Sequence, residues 1–65
     1  MEHERFVAVE DIIQALHDDG IVPSARNIKE YLEPIVGHTI EIGMIDVYLE
    51  AYAEEPDTAI DLATL

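Results

Sequence analysis

Apolar residues recur along this chain at helical spacing. Val9, Ile12, Ile13 and Leu16 follow i, i+3, i+4, i+7, while Glu10, Asp11, His17 and Asp18 fall off that stripe. The spacing predicts a first helix from about Phe6 to Asp18, although the "FVAV" start is equally compatible with extended chain. Acids early in the segment suit the positive end of a helix dipole. Gly20, after "HDD", suits the left-handed position that ends a helix. A short apolar link, Ile21-Val22-Pro23, leads to Ser24, which reads as an N-cap. Beyond it Ile28, Leu32 and Ile35 or Val36 form a buried stripe. Arg26, Lys29, Glu30 and Glu33 take the other face as two i, i+4 ion pairs. Pro34 is costly inside a helix, so the second helix is expected to end near Glu33.

The stretch "GHTIEIG" is ambiguous: Ile40 and Ile42 alternate as in a strand, yet Thr39 is a fair helix cap. Helix is favoured, because Ile45, Leu49 and Tyr52 then form one stripe with Met44, Tyr48 and Ala51 beside it. A stripe that wide suggests a helix packed on both others or on a second subunit. The third helix should stop before Pro56. In the last ten residues Ile60, Leu62 and Leu65 are the apolar anchors. They predict a short fourth helix capped by Asp57, closing the core or swapping between protomers, or else a frayed tail. The expected class is all-α: a small three-helix, or with the tail four-helix, helix-turn-helix-like bundle. Its body spans 1–55 and its short helix or tail 56–65.

Composition limits what such a bundle does. A chain of 65 residues holds one small domain. At this size only ~60% of the unfolded surface is buried, so the core is marginal. Without cysteine there is no disulfide, thiolate metal site or thiol nucleophile. Self-association or a partner, and so a homodimer, is the natural supplement. The apolar fraction of 49% excludes simple disorder. No segment is long enough to span a membrane, and "MEHER" leads into no signal-peptide core. A cytoplasmic setting, in a cell or an infected host, is therefore expected.

Charge changes the picture most. Fifteen Asp and Glu face only Arg5, Arg26 and Lys29, for a net charge of −12. Charge of this size repels DNA, RNA and anionic lipid. A halophilic source would also enrich the acids.

The words "IIQALHDDGIVPSARNIKEYL" and "MIDVYLEAYAEE" resemble the N-terminal DNA-binding domain of KfrA-type plasmid proteins and related phage and plasmid helix-turn-helix modules. The features in common are an apolar first helix, a G-x-x-P-S/T approach, Arg26 in the first turn of helix 2, and a third helix ending L-x-A-aromatic. The resemblance covers roughly Val9 to Glu54 and implies a fold more than an activity. It also implies a DNA-reading third helix, and here the chain departs from the pattern. The corresponding region carries Glu41, Asp46, Glu50, Glu54 and Glu55, whereas a DNA reader shows a basic footprint. Three cations, two beside Glu30 and Glu33, supply few phosphate contacts. A dimeric DNA-binding regulator using Arg5, Arg26 and Lys29 is thus the alternative rather than the first expectation.

The first expectation is a non-enzymatic interaction or regulatory protein that meets a basic surface of a protein partner. Asp46, Glu50 and Glu54, with Glu41, would supply charge, and Tyr48 or Met44 an apolar anchor. In its most concrete form the acids mimic DNA and inhibit a nucleic-acid-binding machine. Their repeat of four residues spaces charges ~6 Å apart on a helix, against a phosphate every ~3.4 Å along a DNA strand. One stripe is therefore about half as dense, and Asp18, Asp19, Glu41 or a dimer mate would have to thicken it. The bland alternative is a solvated face that serves solubility. A homo-oligomeric assembly module built on the wide stripe and tail is a third reading. His3, His17 and His38 lack ligand spacing, Ser24 lies in no nucleophile motif, and no glycine-rich phosphate loop occurs. No enzyme, metal or cofactor is expected.

Overall fold

The computed structural model of the protein describes residues 5–65. Most of the charged "MEHER" start, and with it His3, lies outside the described residues. The order of elements is β1 (Phe6–Ala8), α1 (Val9–Asp18), α2 (Ala25–Val36), α3 (Ile42–Glu54), β2 (Ala59–Asp61) and a single 3₁₀ turn (Leu62–Thr64). The domain is mostly helical with a minor two-stranded sheet, so the purely all-α expectation is corrected.

Each helix buries the stripe that its spacing marks. Val9, Ile12 and Leu16 of α1, Ile28 and Leu32 of α2, and Ile45 of α3 lie in one core with Ile40 and Ile60. Ile13, Tyr31, Val36, Tyr48, Leu49 and Tyr52 pack half-buried around it. Val36 rather than Ile35 turns inward, and Ile35 is 55% exposed. Helix α1 ends as its glycine requires. Gly20 has φ of +73°, its N–H donates to the carbonyl of His17, and Ile21 N–H donates to that of Leu16. That pair of bonds satisfies carbonyls the helix end would leave unpaired. Ser24 caps α2, its hydroxyl accepting the Asn27 N–H at 3.2 Å, and the Asn27 amide reaches back to the Val22 carbonyl at 2.7 Å.

Two boundaries differ from expectation. Helix α2 runs past Pro34 to Val36 and ends on Gly37, in the left-handed conformation at φ of +81°. Proline in the last turn forfeits only the bond to the Glu30 carbonyl. Glu33, the residue a following proline pushes away from helix, is anchored by its own side chain. Its carboxylate accepts from Lys29 Nζ at 2.7 Å and from the Ile40 backbone N–H at 2.9 Å. The second boundary is the start of α3. Residues 39–41 are neither strand nor helix, and Thr39 is not the cap. The flanking position is Glu41, without a side-chain cap bond. With the chain outside any helix there, Ile40 reaches the core, where it is 1% exposed.

The C-terminal residues form neither a fourth helix capped by Asp57 nor a frayed tail. Instead β2 pairs antiparallel with β1 in the register Phe6↔Asp61, Val7↔Ile60, Ala8↔Ala59. The N–H of Val9 donates to the Thr58 carbonyl and that of Leu62 to the Arg5 carbonyl, extending the ladder at both ends. Alternation along β2 turns Ile60 inward, and its closure of the core is the role expected of this segment, performed by a strand. Asp61, not Asp57, is the capping acid: its carboxylate accepts the Ala63 N–H at the 3₁₀ turn.

Candidate functional site

Helix α3 has two unlike sides. Ile45 is fully buried, and Leu49 and Tyr52 lean the same way against the core. At 3.6 residues per turn, positions offset by one or two from those turn away from the core. Asp46, Glu50 and Glu54 form one row on it, all exposed. Met44, Val47 and Ala51 form the adjacent row. Val47 is 62% exposed and Met44 36%, and Ala51 is exposed as well. Glu41, exposed just before α3, adds a carboxylate at its start, and Glu55 adds one at its end.

Electrostatically the row is uncompensated among the described residues. Each of the three Lys and Arg residues already faces a carboxylate elsewhere. Arg5 grips Asp61 through two bonds, Nε to Oδ1 at 2.8 Å and Nη2 to Oδ2 at 2.9 Å. Lys29 holds Glu33, and Arg26 lies 3.9 Å from Glu30 in a looser, exposed pair. Among the described residues no ion pair involves an acid of α3. The last turn of α3 contains no basic residue, so Glu50 and Glu54 sit toward the negative end of the helix dipole. Like charges at i, i+4 disfavour the helix further.

The pairs elsewhere have visible titration consequences. The Asp61 carboxyl is held below its ordinary value, chiefly by the hydrogen bond from Arg5, and the Arg5 guanidinium is raised by the same contact. Glu33 is likewise held low, first by Lys29 and then by the Ile40 N–H.

The residues singled out from the sequence do not all gather in one place. Glu41, Asp46, Glu50, Glu54 and Met44 all lie exposed on or beside α3. Tyr48 is half-buried and turned toward the C-terminal turn, where its hydroxyl accepts the Asp61 N–H at 3.4 Å and meets Thr64 Oγ1 at 3.3 Å. Arg5 is on the residue preceding β1, while Arg26 and Lys29 are on α2. Arg5 also lies over the Phe6 ring, 5.3 Å from its centroid. Val47 was not anticipated. Its place in the exposed row follows from its offset of two from Ile45, a signal masked by the many apolar residues around α3.

Other features are less developed. An open groove of about 620 Å³ is lined by Val7, Leu62 and the Ile35–Val36 end of α2, together with Arg5 and His38. Among the described residues no group of three or more His, Asp or Glu side chains is placed to hold a metal ion, and no helix is long and apolar enough to cross a membrane. No protein-family model, curated protein or solved structure matches the chain.

Proposed function

We propose that this protein is a non-enzymatic regulatory module that binds a basic surface of a protein partner through the exposed side of α3. The observation that carries this reading is the row Asp46, Glu50 and Glu54. It is exposed and lacks an ion-pair partner among the described residues, while every Lys and Arg of the chain is engaged elsewhere. Complementary charge speeds encounter with a basic partner and disfavours polyanions. In this reading α2, the turn at 37–41 and α3 are a helix-turn-helix-like frame reused with reversed charge. The partner is a nucleic-acid-binding machine blocked by a phage- or plasmid-type inhibitor, with the acids standing in for phosphates. Such work belongs in the cytoplasm of a cell or an infected host.

Capture from host lysate tests the reading. Intact protein should retain a partner that the combined variant Asp46→Asn, Glu50→Gln, Glu54→Gln loses while keeping its helical circular dichroism. Equal capture by both proteins would sink the acidic-face reading. Salt-sensitive retention of random duplex DNA would favour a DNA-binding regulator using Arg5, Arg26 and Lys29.

A further inference from the structure

We propose that the occupant of the α3 face is a basic amphipathic helix of the partner, lying antiparallel along α3. This rests on the acidic-face reading above and specifies its partner. Charge alone would call only for a cluster of cations, and the face offers more. Met44, Val47 and Ala51 form an exposed apolar strip at i, i+3, i+7, directly beside the acidic row at Asp46, Glu50 and Glu54. Both rows run along a helix of 13 residues, about 20 Å at 1.5 Å per residue.

Two parallel rows at helical spacing match the ridges and grooves of another helix. A strand presents side chains at a period of two and does not follow them. The strip contains the small Ala51, and exposed Gly43 precedes it, with nothing within 4 Å of where a Cβ would stand. A neighbouring backbone thus has room to approach.

Charge complementarity selects the occupant. No Lys, Arg or His is on α3, and among the described residues no cation pairs with its acids, so a cationic partner is what would neutralise them. A helix with an apolar stripe flanked by Lys or Arg satisfies both rows together. Polarity selects the direction. The end of α3 combines the negative dipole terminus with Glu50, Glu54 and Glu55, and an antiparallel partner lays its positive N-terminus there.

The test titrates the intact protein into a labelled peptide of Leu, Ala and Lys, about 18 residues long so that it holds helix. Its leucines recur at i, i+3, i+4 and i+7 with lysines flanking them. The control peptide has the same composition in an order with no apolar face. The ordered peptide should bind about tenfold tighter than the control, a difference within reach of a few buried methylenes. Val47→Asn should remove most of that preference and leave the far-ultraviolet dichroism unchanged. A spin label on the peptide N-terminus should broaden the amide signals of Ala53–Glu55 rather than those of Glu41–Gly43.

Equal affinity for the two peptides, lost in the Asp46→Asn, Glu50→Gln, Glu54→Gln variant, overturns the helical occupant and leaves the acidic-face reading standing. Affinity that is the same for that variant and for intact protein overturns both. Broadening at Glu41–Gly43 instead overturns the antiparallel orientation.

Discussion

The carboxylate of Glu33 accepts the backbone N–H of Ile40 at 2.9 Å, across the turn that joins α2 to α3. One acid thereby holds the last turn of α2, through Lys29, and the linker residue that delivers a core side chain. Glu33→Gln should lower thermal stability more than Lys29→Met, because only the first change also weakens the acceptor for Ile40. Thermal melts of the two variants, with amide exchange at Ile40 as the local readout, check this. Equal melting temperatures and an unchanged exchange rate would show that the turn does not depend on the bond.

Acid should erase the stability difference between intact protein and Glu33→Gln. The Glu33 carboxyl is held below its ordinary value of 4.5, mainly by Lys29. A depressed folded-state value means that stability is fully present above the unfolded-state value and is lost as pH falls through the folded one. Asp61, held low by Arg5, follows the same sign. The stability gap between intact protein and Glu33→Gln should therefore be full at pH 6 and shrink as pH falls below about 4. Denaturant melts across that range measure it.

Neutralising the α3 row should act in the opposite direction. Asp46→Asn, Glu50→Gln, Glu54→Gln removes two i, i+4 like-charge pairs, each unfavourable by about 0.2–0.5 kcal/mol. Relief at the negative end of the helix dipole adds to this. A stabilisation of about 0.5–1 kcal/mol at low salt is expected, diminishing with added sodium chloride. A destabilised variant would mean that these acids are structural rather than poised for a partner.

Ile60 joins the two ends of the chain to the core. Replacing it with Ala should cost about 2–5 kcal/mol, the range for deleting a buried branched side chain. A domain of this size holds about 3–10 kcal/mol in total. Ile60→Ala should thus unfold a large fraction of the protein at 37 °C, by circular dichroism, and Thr64→Ala should not.

Ser24→Ala should cost about 1 kcal/mol, the usual value of an N-cap hydroxyl. The loss should localise to the first turn of α2, seen as faster amide exchange at Asn27, whose N–H the hydroxyl accepts.

Periodicity and local chemistry determined much of this protein by themselves. The three helical stripes, the Gly20 stop, the Ser24 cap, the end of α3 before Pro56 and the isolation of the α3 acids all depend on residues within a turn or two of each other. Such signals are short in range, so the linear order contains them. Only the tertiary structure decided the sheet. Each strand has three residues, too few for an alternating pattern to stand out, and Phe6, Val9 and Ile13 also fit helical spacing. What fixes the strands is pairing between chain ends, with Arg5 meeting Asp61 across 56 positions. The Pro34 boundary was hidden for the same reason, since the bond from Ile40 to Glu33 exists only after the turn has folded. On α3, sequence named the acids, but folding decided which apolar residues are left over. The core takes Ile45, the C-terminal turn engages Tyr48, and Val47 remains outside with Asp46 and Glu50 because no other element of the described fold covers that side.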